Sequence, residues 1–166
     1  YGTLDSDISC RTKGARAMEA FLRVVRDIAL LLARIVAGAA LVLHGWTRWQ
    51  VTGLEAQVEI IEAAGLPSAQ ALALATVVFE IGGGVLLVFG LGTPIIGLGM
   101  VVLNMTIALT VRSDAGFALS DGGWEYNAAQ AALGLVFLAF GSGRAGLDHL
   151  FVRPSGETDQ LIEAPA

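Results

Sequence analysis

Residues 27–46 read DIALLLARIVAGAALVLHGW, an apolar run broken inside only by Arg34. At a rise of 1.5 Å per residue this stretch covers about 30 Å, the thickness of a bilayer's hydrocarbon core. A secretory signal also sets basic residues ahead of an apolar stretch, but this run is too long for one and carries an arginine. The spacing therefore predicts a membrane helix, and the rest of the chain reads outward from it.

Composition agrees. Hydrophobic residues make up 55% of the 166 and charged residues only 15%, against about 45–50% and about 25% in soluble domains. The mean hydropathy is +0.69. The net charge is -5, and the ten basic residues flank apolar runs without an aromatic-interleaved basic patch. That excludes nucleic acid as a partner. Cys10 is the single cysteine, which excludes an internal disulfide framework, a CxxC redox pair and a cysteine-ligated cluster or zinc.

Ahead of this run, residues 1–26 form a polar N-terminal tail with a short helical run, setting Arg11, Lys13, Arg16, Arg23 and Arg26 against Asp5, Asp7 and Glu19. Because the chain opens on Tyr1 rather than methionine, further chain upstream is expected. Beyond Trp46, Leu54, Val58 and Ile61 recur at helical spacing while Glu55, Glu59 and Glu62 take the other side, until Gly65-Leu66-Pro67 stops the pattern. Trp46 and Trp49 just before it suit headgroup depth. We read an amphipathic helix lying in the membrane interface; a soluble loop helix is the alternative.

Three more apolar runs follow, at about 69–91, 95–111 and 125–141, separated by Gly92-Thr93-Pro94 and by a polar loop from Arg112 to Gly123. The last is about 16 residues, short against the ~20 a span needs. The fold class expected is an all-α membrane protein. It is a four-transmembrane-helix bundle over residues 27–150, with an amphipathic interfacial helix between helices 1 and 2 and a C-terminal tail over 151–166. Basic residues in the N-terminal tail, with Arg144 and Arg153, outnumber Arg48 and Arg112 on the other side. By the positive-inside rule both termini are cytoplasmic, in a multi-pass protein of the plasma membrane.

Ionisable groups at membrane depth cost several kcal/mol unless paired or hydrated. Counting residues from the span ends puts Arg34 about 12 Å, Glu80 about 14 Å and Asn104 about 15 Å from the cytoplasmic side. The three form a candidate polar core, with Arg34 paired to Glu80 and Asn104 satisfying a leftover donor or acceptor. Either this pair sets helix register only, or it serves a proton or quinone site. Arg34, Gly38, Leu41, Gly45 and Arg48 share one stripe of the first helix, and Glu80, Gly83, Gly84 and Leu87 one stripe of the second, with small residues that permit close approach.

A second group gathers at the outer mouth: His44, Trp46, Arg48, Trp124 and Glu125. It reads as an aromatic belt with a capping acid, or as a quinone headgroup site. Haem would need two histidines facing at one depth, whereas His44 lies at the outer interface and His149 beyond the last span. Met100 and Met105 are assigned to the helical core. No metal ligand set is expected.

Several of these residues stand in an order that resembles the DoxX family. Arg34 is followed at the far end of its span by His44-Gly45-Trp46-Thr47-Arg48, then by the Gly65-Leu66-Pro67 turn. Glu80-Ile81-Gly82-Gly83 and Gly90-Leu91-Gly92-Thr93 mark the second span, Gly122-Gly123-Trp124-Glu125 opens the last, and Leu147-Asp148 follows it. The resemblance covers residues 30 to 150, with Arg48 where a lysine is usual. It implies a small four-helix membrane protein, in some members associated with thiosulfate or quinone oxidoreduction and in others a membrane partner of redox or respiratory enzymes.

The expectation drawn from it is a non-catalytic accessory subunit that stabilises a larger redox or respiratory complex through other membrane subunits. It binds no cofactor alone and contacts lipid. The alternative is a quinone-interacting subunit of a thiosulfate- or quinol-linked membrane oxidoreductase.

Overall fold

The computed structural model describes residues 2–143 and 146–150, with side chains from Arg16 onward. Arg144, Arg153 and residues 151–166 lie outside the described residues, as do the side chains of Cys10 and His149. No strand occurs among the described residues. Three helical stretches are long and apolar enough to cross a membrane: Met18–Thr52, Ala69–Phe89 and Thr93–Val111.

Helix α1 runs without a break from Gly2 to Trp46 and continues as a π-helical segment, Thr47–Thr52. The change from polar to apolar composition near residue 26 therefore marks no change of backbone. Residues 15–37 contain neither glycine nor proline, so nothing there interrupts the hydrogen-bond ladder. The far end of the expected first span also moves, from Trp46 to Thr52.

Gly53, at φ 88°, ends that segment. Helix α2, Leu54–Ala63, carries the pattern read from the sequence, with Glu55, Glu59 and Glu62 exposed and Leu54, Val58 and Ile61 half-buried. It packs on the next stretch, made of α3 (Ala69–Val78), a π-helical segment (Phe79–Gly83) and α4 (Gly84–Phe89). A turn through Gly90 and Gly92, both at positive φ, leads to α5 (Thr93–Thr106), which has proline in its first turn and ends in a third π-helical segment (Ile107–Val111). After a loop over 112–124 comes α6, Glu125–Phe140. Its 16 residues cover only about 24 Å.

Two helix pairs make the scaffold, and each rests on a reciprocal glycine contact. A Cβ at Gly38 would lie 2.6 Å from the Gly84 carbonyl oxygen, and one at Gly84 would lie 2.7 Å from that of Gly38. Gly97 and Gly134 repeat the arrangement between α5 and α6, at 2.6 and 2.7 Å. Where hydrocarbon on both sides removes the hydrophobic drive for helix pairing, such close backbone approach supplies the packing energy. The pairs enclose one core of Ala37, Leu41, Leu87, Ile96, Met100 and Phe137. Met105, assigned to the core from its sequence position, is instead 41% exposed, because α5 turns that side away from α6. Outward surfaces remain apolar, with Val36, Leu43, Val102 and Leu109 all more than half exposed, as lipid-facing residues are.

The glycine contacts also fix register. Gly38 abuts Gly84 and Val88, and Gly45 abuts Glu80 and Ile81, so α1 and the second stretch run antiparallel.

Gly38→Ala is expected to lower stability by about 1–3 kcal/mol, because neither backbone can retreat from the added methyl. Gly82→Ala, where a Cβ would meet nothing within 4 Å, should leave stability unchanged. Detergent-solubilised unfolding followed by circular dichroism checks both.

Candidate functional site

Between α1, the second stretch, α5 and α6 lies a cavity of about 300 Å³ whose lining residues include His44, Arg48, Glu80, Asn104, Arg112, Tyr126, Asn127 and Gln130. Leu41 and Ile107, with Leu119 and Gly123 from the 112–124 loop, complete its lining. Arg112 helps shape that loop by donating from Nη1 to the Gly122 carbonyl.

Glu80 is 4% exposed and stands in the Phe79–Gly83 π-helical segment. Its counter-charge is Arg48, whose Nε lies 3.0 Å from Glu80 Oε2. The same guanidinium donates from Nη1 to Gln57 Oε1 on α2 at 2.7 Å. One arginine thus ties the amphipathic helix to the buried carboxylate. Opposite, Asn127 Nδ2 donates to Asn104 Oδ1 at 3.1 Å, and Asn104 Nδ2 to the Met100 carbonyl at 2.9 Å. Gln130 Nε2 donates to the Tyr126 hydroxyl at 2.6 Å, and the His44 and Tyr126 rings lie 4.9 Å apart.

Two buried acceptors in this wall have no hydrogen-bond donor among the described residues: Glu80 Oε2, whose contact with Arg48 Nε at 3.0 Å is an ion pair off the hydrogen-bond axis, and Gln130 Oε1. Such orphaned acceptors are costly. Each of the three π-helical segments contributes a lining residue, Arg48, Glu80 and Ile107. Segments of this kind are rare and concentrate at functional sites.

The expected Arg34–Glu80 pair does not form. The depth count began from Asp27 as the cytoplasmic end of the first span, whereas α1 is continuous through that position from Gly2 and places Gly45, not Arg34, against Glu80. Arg34 is eleven residues farther along, about 16 Å away on the helix axis. It is fully buried at the opposite end of the bundle, packed against Gly90 and Gly146, and its guanidinium finds no hydrogen-bond partner among the described residues. The neighbouring acid there is Asp148. Asp148 accepts from the Gly92 and Thr93 amides at 2.6 and 3.3 Å, closing the start of α5. Asn104 likewise serves neither charge of the expected pair; it bonds Asn127.

The expected outer-mouth group also divides. His44 and Arg48 enter the polar cavity. Trp46 meets Trp49 edge to face at 5.9 Å, with both half exposed outside it. Trp124 packs on Phe117, and Glu125 accepts from the Leu119 amide, so these two brace the loop instead. Gln57, Tyr126, Asn127 and Gln130 were missed. Three of them crowd the first turns of α6, where hydrogen-bonding side chains in an apolar run are themselves a signal.

A second cavity, about 470 Å³, adjoins the first and shares His44, Arg48, Ile107 and Arg112 with it. Apart from these its wall is largely apolar, including Ile60, Leu72, Phe79, Val102 and Leu103.

The DoxX family model matches residues 29–113. A curated relative, "Putative oxidoreductase CatD" of Bacillus subtilis (strain 168), is 34% identical over 91 residues, 55% of this chain and 65% of the relative. The aligned chain thus spans a little under two thirds of that relative's length. No solved structure matches.

Replacing Arg48 by Gln strands a buried carboxylate and should cost about 3 kcal/mol, the low end for a broken buried pair because Arg48 is partly open. In a double-mutant cycle with Glu80→Gln the two should couple by about 0.5–3 kcal/mol, while Arg34→Gln and Glu80→Gln should add. Detergent unfolding of the single and double variants measures both cycles.

Proposed function

The chain belongs to the DoxX family, and from that premise we propose that it is a quinone-interacting membrane subunit of an oxidoreductase. It holds a quinol or quinone headgroup in the polar cavity and the attached tail in the apolar one. The observation that carries this reading is a pair of buried acceptors in one cavity wall, Glu80 Oε2, which has only an off-axis ion pair with Arg48, and Gln130 Oε1, which has no donor among the described residues. The two hydroxyls of a quinol are donors, and Asn127, His44 and the Arg48 guanidinium offer the complementary groups for the oxidised form. An amphiphile with a ring head and apolar tail matches adjoining chambers of these two characters. The relative's name supports a redox setting. With a single cysteine and two histidines in the sequence, the electrons pass to or from a cofactor on a partner subunit.

In this reading α6 is the fourth span, completed by the chain around it, and α2 lies in the interface. The termini face the cytoplasm across the plasma membrane. The 112–124 loop is then outside, where an impermeant thiol reagent would reach a cysteine at Ser120. The alternative is an accessory subunit that only stabilises a larger redox or respiratory assembly, with the cavity a by-product of packing.

Binding of a short-tailed benzoquinol to the chain in nanodiscs separates them. Glu80→Gln should weaken binding about 10–100-fold, since a hydrogen bond to a charged group contributes about 1.5–3 kcal/mol. Gln130→Leu should weaken it several-fold, and Trp46→Ala should leave it unchanged. Absence of binding by the folded chain, or indifference to both cavity variants, leaves the accessory reading.

A further inference from the structure

The apolar cavity has two facing helix walls. Leu72, Thr76 and Phe79 line it from one face of the second stretch, at steps of four and three, and Gly99, Leu103 and Thr106 do the same from α5. Stripes of this spacing are the ridges by which two helices ordinarily pack on each other. Here α3 packs on α2 instead, and α5 on α6, so the two stripes stand apart across a space of about 470 Å³. Ile60 and Ile61 of α2 border that space as well.

Toward the end of the bundle that holds Arg34, one side chain closes it. Among the described residues, none of the second stretch after Phe79 and none of α5 before Gly99 lines the cavity. There the walls meet. A Cβ at Gly99 would overlap the Phe79 ring at Cε2 and Cζ, so the ring rests on α5 at a position where only glycine leaves it room. A Cβ at Gly83 would lie 3.4 Å from the same ring and 3.5 Å from Ile96 Cδ1, which brings the two stretches into contact just beyond it. The Phe79 ring is thus the floor of the cavity.

The height of that floor can be measured from the place where the two cavities adjoin. Ile107 lines both, and Gly99 stands eight residues before it on the same helical stretch, about 12 Å along the axis. A tail entering from the cavity around Glu80 has that depth before it meets the ring. An extended decyl chain is of this length.

We propose that Phe79, seated on Gly99, selects the ligand by tail length: the site takes a quinol or quinone whose tail reaches the ring and gains nothing from a longer one. This rests on the reading given above, in which the head occupies the cavity around Glu80. Each methylene taken from water into the apolar space strengthens binding about fourfold, and the gain stops where the ring blocks the way.

Binding to the full chain in nanodiscs tests this, with quinols that carry methyl, pentyl, decyl and pentadecyl tails and with the dimethyl ethers of the same compounds, which have no hydroxyl to donate. After correction for partitioning of each tail into the bilayer, quinol affinity for the wild type should rise from methyl to decyl and level off at pentadecyl. Phe79→Ala should raise the pentadecyl-to-decyl ratio about tenfold, the gain from about two more buried methylenes. Phe79→Leu, a smaller truncation, should move the ratio the same way by less. Gly99→Ala, which drives the ring into the space, should lower the decyl-to-methyl ratio about tenfold. If the quinols bind but the ratio is the same in the wild type and both Phe79 variants, selection by Phe79 is wrong and the quinol reading stands. If the ethers bind as tightly as the quinols and Phe79→Ala still shifts the ratio, the selection holds for an amphiphile with another head and the quinol reading falls. Binding by no member of either series overturns both.

Discussion

A carboxylate inside an apolar helix has to find a cation that reaches it, and in this bundle the cation is Arg48. The 3.0 Å contact between Arg48 and Glu80 joins the C-terminal end of the first helical stretch to the middle of the second. The bond from Arg48 to Gln57 draws α2 onto the same junction. Neither charge could face lipid alone without a cost of several kcal/mol. The pair therefore restricts how the first two stretches can be aligned, and the glycine contacts at Gly38, Gly45 and Gly84 permit the backbones to come close enough for it to form.

The cavities follow from that alignment. Arg48 and Glu80 keep the stripes that a regular helix gives them, and with Ile107 they line one cavity, each standing in the first two residues of its π-helical segment. Helix α6 brings Tyr126, Asn127 and Gln130 to the same level through the Gly97–Gly134 crossing. Polar groups from four stretches of chain then surround this space, beside a more apolar one. At the other end of the bundle Arg34 and Asp148 brace the turn before α5. The two ends of the molecule hold separate polar clusters, Arg34 with Asp148 at one and the cavity around Glu80 at the other.

Much of this was legible in the sequence. Hydropathy located the second and third stretches to within about two residues of Ala69–Phe89 and Thr93–Val111, and the charge pattern of Glu55, Glu59 and Glu62 gave α2 its faces. Glu80 and Asn104 read as polar groups needing partners, and His44 and Arg48 as members of an outer-mouth group. The pairings were not legible, because residue counting measures depth only from a span end, and composition near Trp46 marks where apolar character fades rather than where the helix stops. The helix alignment sets Gly45 rather than Arg34 against Glu80, so the partner is Arg48. The polar residues of α6 escaped notice because Tyr126, Asn127 and Gln130 sit in the first turns of a short run, where they resemble an ordinary helix start.

The central claim is that the chamber around Glu80 receives the head of an amphiphile whose tail lies between α3 and α5. Photolabelling in native membranes tests it most directly, with a quinone analogue carrying the reactive group first on the ring and then on the tail, and the labelled residues read by mass spectrometry. The ring probe should mark Tyr126, Gln130 or His44, the tail probe Leu72, Phe79 or Val102, and excess unlabelled quinol should suppress both. Labelling confined to lipid-facing residues such as Val36, Leu43 and Leu109, unmoved by competitor, would contradict the account.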